Sequence, residues 1–180
     1  MNGNQDKINT MDILKIAIDW AKAELVSTPF FILFGVIFMV SSVGFWQVGK
    51  TDLAKSYILP TLIAGSLLTI IGLGLYFTNK SRITQFEQAY NQDVKGFVSA
   101  ELDRTEATLK EYKNVVFTAI PIIIGACVLI LYFVDRPVWR SSMITSIAML
   151  TVILLIDGLA HARINDYNKQ LQEKAQELKI

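Results

Sequence analysis

Apolar residues along this chain gather into four runs that carry almost no charge: 29–48, 57–77, 115–134 and 142–159. A helix rises about 1.5 Å per residue, so runs of this length match a hydrocarbon core of roughly 30 Å. Strands of a membrane barrel would alternate apolar and polar residues, and these runs do not. The pattern predicts an all-α, polytopic membrane protein: a bundle of four transmembrane helices arranged as two hairpins, with helical extensions on the cytoplasmic side. In chain order it predicts an amphipathic N-terminal helix over 1–28, a first transmembrane hairpin over 29–77, and a cytoplasmic helical segment over 78–114. A second hairpin over 115–161 and a C-terminal cytoplasmic helix over 162–180 complete it.

The polar segments are themselves periodic. Asn9 or Thr10 can cap a helix beginning near Met11. On that helix Asp12, Lys15, Asp19 and Lys22 form a charged stripe, opposite an apolar face of Leu14, Ile18, Ala21 and Leu25 with Trp20 nearby. Such a helix can lie flat at the headgroup level or pack on the protein's own cytoplasmic part. Pro29 fits the first turn of span one. Ile83, Phe86, Tyr90, Val94 and Phe97 recur at three- and four-residue spacing. Gly96 can end that helix and Ser99 can cap the next, with Leu102, Leu109 and Tyr112 facing inward. Pro121 is expected to kink span three and free a carbonyl near Phe117.

Short polar links, 49–56 and 135–141, join the spans of each hairpin, and Trp46, Tyr57, Tyr132 and Trp139 lie beside them, as in an interfacial aromatic belt. The first 28 residues lack the short apolar core and small-residue cleavage site of a signal peptide, so span one is expected to act as an uncleaved anchor. A faint repeat relates Arg82-Ile83 and Phe86 to Arg163-Ile164 and Tyr167. Either a duplicated helical hairpin or chance likeness of two membrane exits explains it.

Charge sets orientation and excludes some partners. Only four of the 17 Lys and Arg residues (Lys50, Lys55, Arg136 and Arg140) lie on the short links, which puts both termini in the cytoplasm, with the bacterial inner membrane as the expected location. A formal net charge of +1 lacks the concentrated basic surface of a nucleic-acid binder. Cys127 is the single cysteine and His161 the single histidine, so a disulfide, a cysteine cluster and a multi-histidine metal site within one chain are ruled out. No cofactor is expected.

Two motifs imitate chemistry. Residues 44–51, with Gly44, Gly49, Lys50 and Thr51, satisfy the pattern of a phosphate-binding loop. That loop needs a short strand before it and a helix after it, whereas a span of about 20 residues precedes this one. The aspartate that imitates its metal-binding partner, Asp157, falls at the opposite membrane face. Residues 157–163 resemble the start of the metal motif of CDP-alcohol phosphotransferases. Their Ala-Arg pair, Ala162-Arg163, is displaced by one residue, and no downstream glycine with two spaced aspartates follows, so the carboxylates that would hold two metal ions are missing.

What remains is a polar site of Asp157 and His161, four residues apart on one helix face, with Arg163 and Arg82 at the neighbouring span ends. A carboxylate near the membrane boundary needs a partner, expected to be His161, Lys80 or Arg82. The group is either proton-responsive or a structural ion pair that sets helix register. Thr61, Gly65 and Thr69 on span two, and Ser142 and Ser146 on span four, form stripes that either line a pore or let helices pack closely. No span carries a nucleophile beside a base, so an enzyme is not expected. Two functions fit: a self-assembling membrane protein that forms an ion-permeable pore, or an accessory scaffold whose cytoplasmic helices bind or regulate a protein partner. The expected partners are membrane lipids, further copies of the chain and a cytoplasmic protein.

Overall fold

The computed structural model describes residues 3–177, with side chains from Asp12 onward, and every element in it is helical. In order these are α1 (Gly3–Val48), α2 (Asp52–Ser56), α3 (Ile58–Gln92), α4 (Val94–Glu111), a π-helical segment (Tyr112–Ala119), α5 (Ile120–Phe133) and α6 (Pro137–Glu177). Four stretches are long and apolar enough to cross a membrane, because α4, the π segment and α5 run on as one rod. Each half of the chain is thus a long helix, a short link and a long helix returning.

The first helix differs from the sequence expectation. It begins at Gly3, upstream of Asn9 and Thr10, and continues through Pro29 to Val48 without a separate amphipathic element. The side chains of Asn9, Thr10 and Met11 lie outside the described residues. Pro29 sits inside the helix instead of in its first turn. Its missing N–H leaves the carbonyl four residues back without its usual donor. One residue earlier, the Glu24 carbonyl accepts from the hydroxyls of both Ser27 (3.0 Å) and Thr28 (2.8 Å).

At the polar end the four long helices close on one core. Ile13, Ala17, Trp20 and Ala21 of α1 meet Phe86 and Tyr90 of α3, Phe97 and Val98 of α4, and Ile164, Tyr167 and Leu171 of α6. The stripe read from Ile83 to Phe97 faces inward here, as do Leu102, Leu109 and Tyr112. Of the apolar face read from the sequence, Ala21 is buried in this core and Leu14 packs against it, whereas the buried face of α1 is centred on Ile13, Ala17 and Trp20.

The break between α3 and α4 falls at Asp93, not Gly96. Asp93 has extended backbone, and its carboxylate accepts from the Lys95 N–H at 3.0 Å. That cap satisfies an orphan N–H at the helix start, which a glycine cannot do. Gly96 lies inside α4, where a Cβ would run into the Asp93 carboxylate. Ser99 lies inside α4 as well, so it caps nothing.

At Pro121 the structure shows a widened helix just upstream. The π segment ends one residue before α5, which carries Pro121 in its first turn. Within it the Thr118 hydroxyl donates to the Lys113 carbonyl at 2.8 Å, five residues back. The carbonyl that Pro121 leaves without its i−4 donor is that of Phe117, so this bond belongs to the π turn itself.

The opposite end is small and tied together. Thr51 caps α2 through the Ala54 N–H, and the Ser56 hydroxyl reaches the Pro137 carbonyl at 3.1 Å. Ser141 donates back to the Ser56 carbonyl at 2.9 Å, so the two links hold each other. Residues 44–48 end α1, and no strand precedes them among the described residues. The phosphate-loop likeness is a helix end followed by a capped turn.

Candidate functional site

The stripe residues of span two pack against α1. A Cβ on Gly65 would meet the Gly35 carbonyl at 2.7 Å, and a Cβ on Gly35 would meet the Gly65 carbonyl at 2.8 Å, so the two backbones touch there. Thr61 is buried and donates to the Tyr57 carbonyl, and Thr69 to the Gly65 carbonyl, both one turn back. Neither hydroxyl needs a partner outside its helix. Ser142 and Ser146 lie elsewhere, in a cleft of about 290 Å³ between α3 and α6, with Thr145, Pro60 and Met149.

The four residues of the expected polar site are not brought together as one group. His161 is held by aromatic rings: Tyr112 at 5.6 Å and Phe117 at 5.0 Å, both edge-on. These two are five residues apart, which an α-helix would splay by about 140° but which a π-turn brings over one another. Asp157 forms no ion pair among the described residues, with His161, Lys80, Arg82 or any other group. Arg163, six residues further along α6, faces another side and reaches α1. Its guanidinium donates to the Glu24 carboxylate at 2.8 Å and to the Ser27 hydroxyl at 2.7 Å. Arg82 donates to the Asn79 side-chain carbonyl at 2.9 Å.

The centre of the polar network is one that residue spacing did not single out. Trp20 stacks on Tyr167 (ring centroids 5.1 Å apart, planes 10° apart) and touches Phe86. Two guanidinium groups lie over the same indole, Arg104 at 4.6 Å and Arg82 at 5.6 Å from its centroid. One tryptophan thereby joins all four helices.

Around it, Glu101 is buried and grips Arg104 with both oxygens, at 2.8 and 2.7 Å. The Tyr167 hydroxyl donates to Glu101 at 2.8 Å, and the Asn168 amide donates to the Thr105 hydroxyl at 2.5 Å. Burial, and then the Glu101 carboxylate, raise the Tyr167 hydroxyl well above its usual range. Burial also opposes the charge on Arg104, but its hydrogen bonds to Glu101 more than offset this and raise it. One signal could have found this network. Glu101 and Thr105 continue the apolar stripe of Phe97 at four-residue spacing, so a carboxylate stands where a core residue is due.

Beside this network lies an open cavity of about 210 Å³, lined by Trp20, Glu24, Asn79, Arg82, Arg104, Thr108, Glu111 and Tyr112 together with Leu75, Ala160 and Ile164. Burial, and then the carboxylates of Asp157 and Glu24, raise the Tyr112 hydroxyl, so Asp157 borders this region without pairing in it. Among the described residues no three His, Cys, Asp or Glu side chains are grouped to hold a metal ion. The cavity is lined by two guanidinium groups and by the carboxylates of Glu24 and Glu111. No protein-family model matches the chain, and neither a curated protein nor a solved structure compared with it is similar.

Proposed function

We propose that the chain is a non-enzymatic integral membrane scaffold of the bacterial inner membrane, with both termini cytoplasmic. Its spans anchor it and associate with further copies, and its polar bundle docks or regulates a protein partner. The observation that carries this reading is the closure of all four helices on Trp20, with Glu101, Arg104 and Tyr167 sealing the polar end into one rigid unit. A rigid, charged bundle on a membrane anchor is a docking platform. In the stripe of Thr61, Gly65 and Thr69, the last two are engaged with α1, and the Thr61 hydroxyl bonds back within its own helix.

Self-association is supported at the second hairpin. Gly125 of α5 and Gly158 of α6 each face open space, and Ile122, Val128, Leu129 and Leu155 around them are exposed. Small residues without an intrachain neighbour allow close approach between helices in lipid.

A second reading, an ion-permeable ring, draws on Ser142, Thr145 and Ser146, which line the cleft between α3 and α6. Particle size in nanodiscs together with ion flux in liposomes separates the two. The scaffold reading expects a defined oligomer and no flux between pH 5 and 8. Flux that rises with protein density would overturn it in favour of the ring.

A further inference from the structure

The open cavity has a chemical bias that docking does not use. Of the charges around it, the Glu24 carboxylate is taken by Arg163 and Ser27, and the Arg104 guanidinium by Glu101. Glu111 is exposed. Arg82 is different: among the described residues its guanidinium hydrogen-bonds only to the neutral Asn79 amide, and no carboxylate lies within ion-pair distance. It is partly buried beside a second arginine over the same indole. Glu101 and Glu24 act on this cation from a distance without pairing with it, and arginine's planar fork suits the oxygens of a phosphate. Burial, and then the nearby Arg104, hold the Arg82 guanidinium below its usual value against the opposing effect of Glu101 and Glu24, and an added anion beside Arg82 would act in the same direction as those carboxylates.

Two further observations point the same way. Trp20 lines the cavity and keeps its indole N–H buried with no acceptor among the described residues, and an N–H of this kind calls for an oxygen. The cavity also lies at the polar end of the apolar stretch of α3, where Arg82 stands five residues beyond Phe77. At such a boundary lipid phosphates are abundant.

We propose that this cavity binds a phosphate-bearing anion, with Arg82 as the principal ligand, Arg104 as the second cation and Trp20 against it. The shared chemistry is the phosphate group, whether carried by an anionic phospholipid or free in solution.

The test uses the full chain in nanodiscs, with Trp46→Phe and Trp139→Phe so that Trp20 is the only fluorophore of its kind among the three tryptophans. Inorganic phosphate is titrated into discs of phosphatidylcholine. In parallel, discs with increasing phosphatidylglycerol are compared. The expected result is a saturable change in Trp20 emission in at least one arm. A response to phosphate alone identifies a free anion, and a response to phosphatidylglycerol alone identifies a headgroup. Arg82→Gln, which keeps a donor for Asn79, is expected to weaken the response tenfold or more while the thermal midpoint without anion stays put. Arg82→Lys, which keeps the charge but not the fork, is expected to weaken it several-fold, and it decides the matter if the glutamine variant does not fold. No saturable response in either arm, or an unchanged response in the variant that folds, overturns the proposal.

Discussion

The two hairpins share an outline and differ in how they hold together. In the first, α1 and α3 cross with Gly35 and Gly65 in backbone contact, and 28% of the most apolar window of each is buried. In the second, α5 packs chiefly on α6, neither Gly125 nor Gly158 meets a neighbouring helix, and only 17% of each window is buried; open glycines also occur in the first hairpin, at Gly44 and Gly74. Lipid tails are as apolar as leucine, so burial of apolar surface does not by itself drive helices together there. Close backbone approach does, and only the first hairpin has it. Of the second hairpin, α6 is held by the Ser56–Ser141 link at one end, by the polar bundle at the other, and between them by Val152 and Ile156, which pack on Phe31 of α1 and Leu68 of α3.

This contrast can be broken most directly at the glycines. Gly65→Leu is expected to separate α1 from α3 and abolish monodisperse protein in detergent, since its first side-chain atom meets backbone. Gly125→Leu should leave the monomer's thermal midpoint nearly unchanged and reduce oligomer size in crosslinking. If both variants behave alike, the asymmetry of the hairpins is refuted.

A smaller effect is expected at the polar end, which secures the second hairpin. Glu101→Gln strips the partly buried Arg104 of its carboxylate, and breaking such a pair costs about 3 kcal/mol or more. Thermal unfolding should show it, with proteolysis appearing first near residues 93–96. A shift of less than one tenth of that size would mean the network contributes little.

Alkaline pH probes the same site. The folded-state pKa of Tyr167 is raised by burial and by Glu101, so its contribution is fully present below the unfolded value near 10 and is lost as pH rises beyond it. Unfolding of the polar bundle should begin above about pH 10. Tyr167→Phe should flatten that loss while removing one hydrogen bond to Glu101. A wild-type profile that is flat between about pH 10 and 11 contradicts the assignment.

The smallest effect is expected at Asn168→Ala. It removes the bond to Thr105 between α6 and α4 and should cost about 1 kcal/mol in a denaturant titration, with no change in oligomer size.

Much of this was readable in the residues alone. The four spans, the short links and the inward stripe of Phe86, Tyr90 and Phe97 depend on hydrophobic period and run length, which are local quantities. So does the absence of a strand before Gly44 that disqualifies the phosphate-loop likeness. Partner choice was another matter. Asp157 and His161 share a face at four-residue spacing, and that spacing alone suggested a pair. They form no ion pair, and His161 instead meets the rings of Tyr112 and Phe117, which the π segment turns together onto it. Likewise Asp93 displaced Gly96 as the helix boundary, because a side-chain acceptor for an orphan N–H outweighs a permissive backbone.

Sequence by itself determined that the chain is helical, how many apolar stretches it has and which faces are greasy, since each follows from neighbours within a few turns. Only tertiary structure decided which charge meets which. Arg163 reaches Glu24 across 139 residues and Tyr167 reaches Glu101 across 66, and contacts at such separations are set by how helices cross. No periodicity within one helix records that.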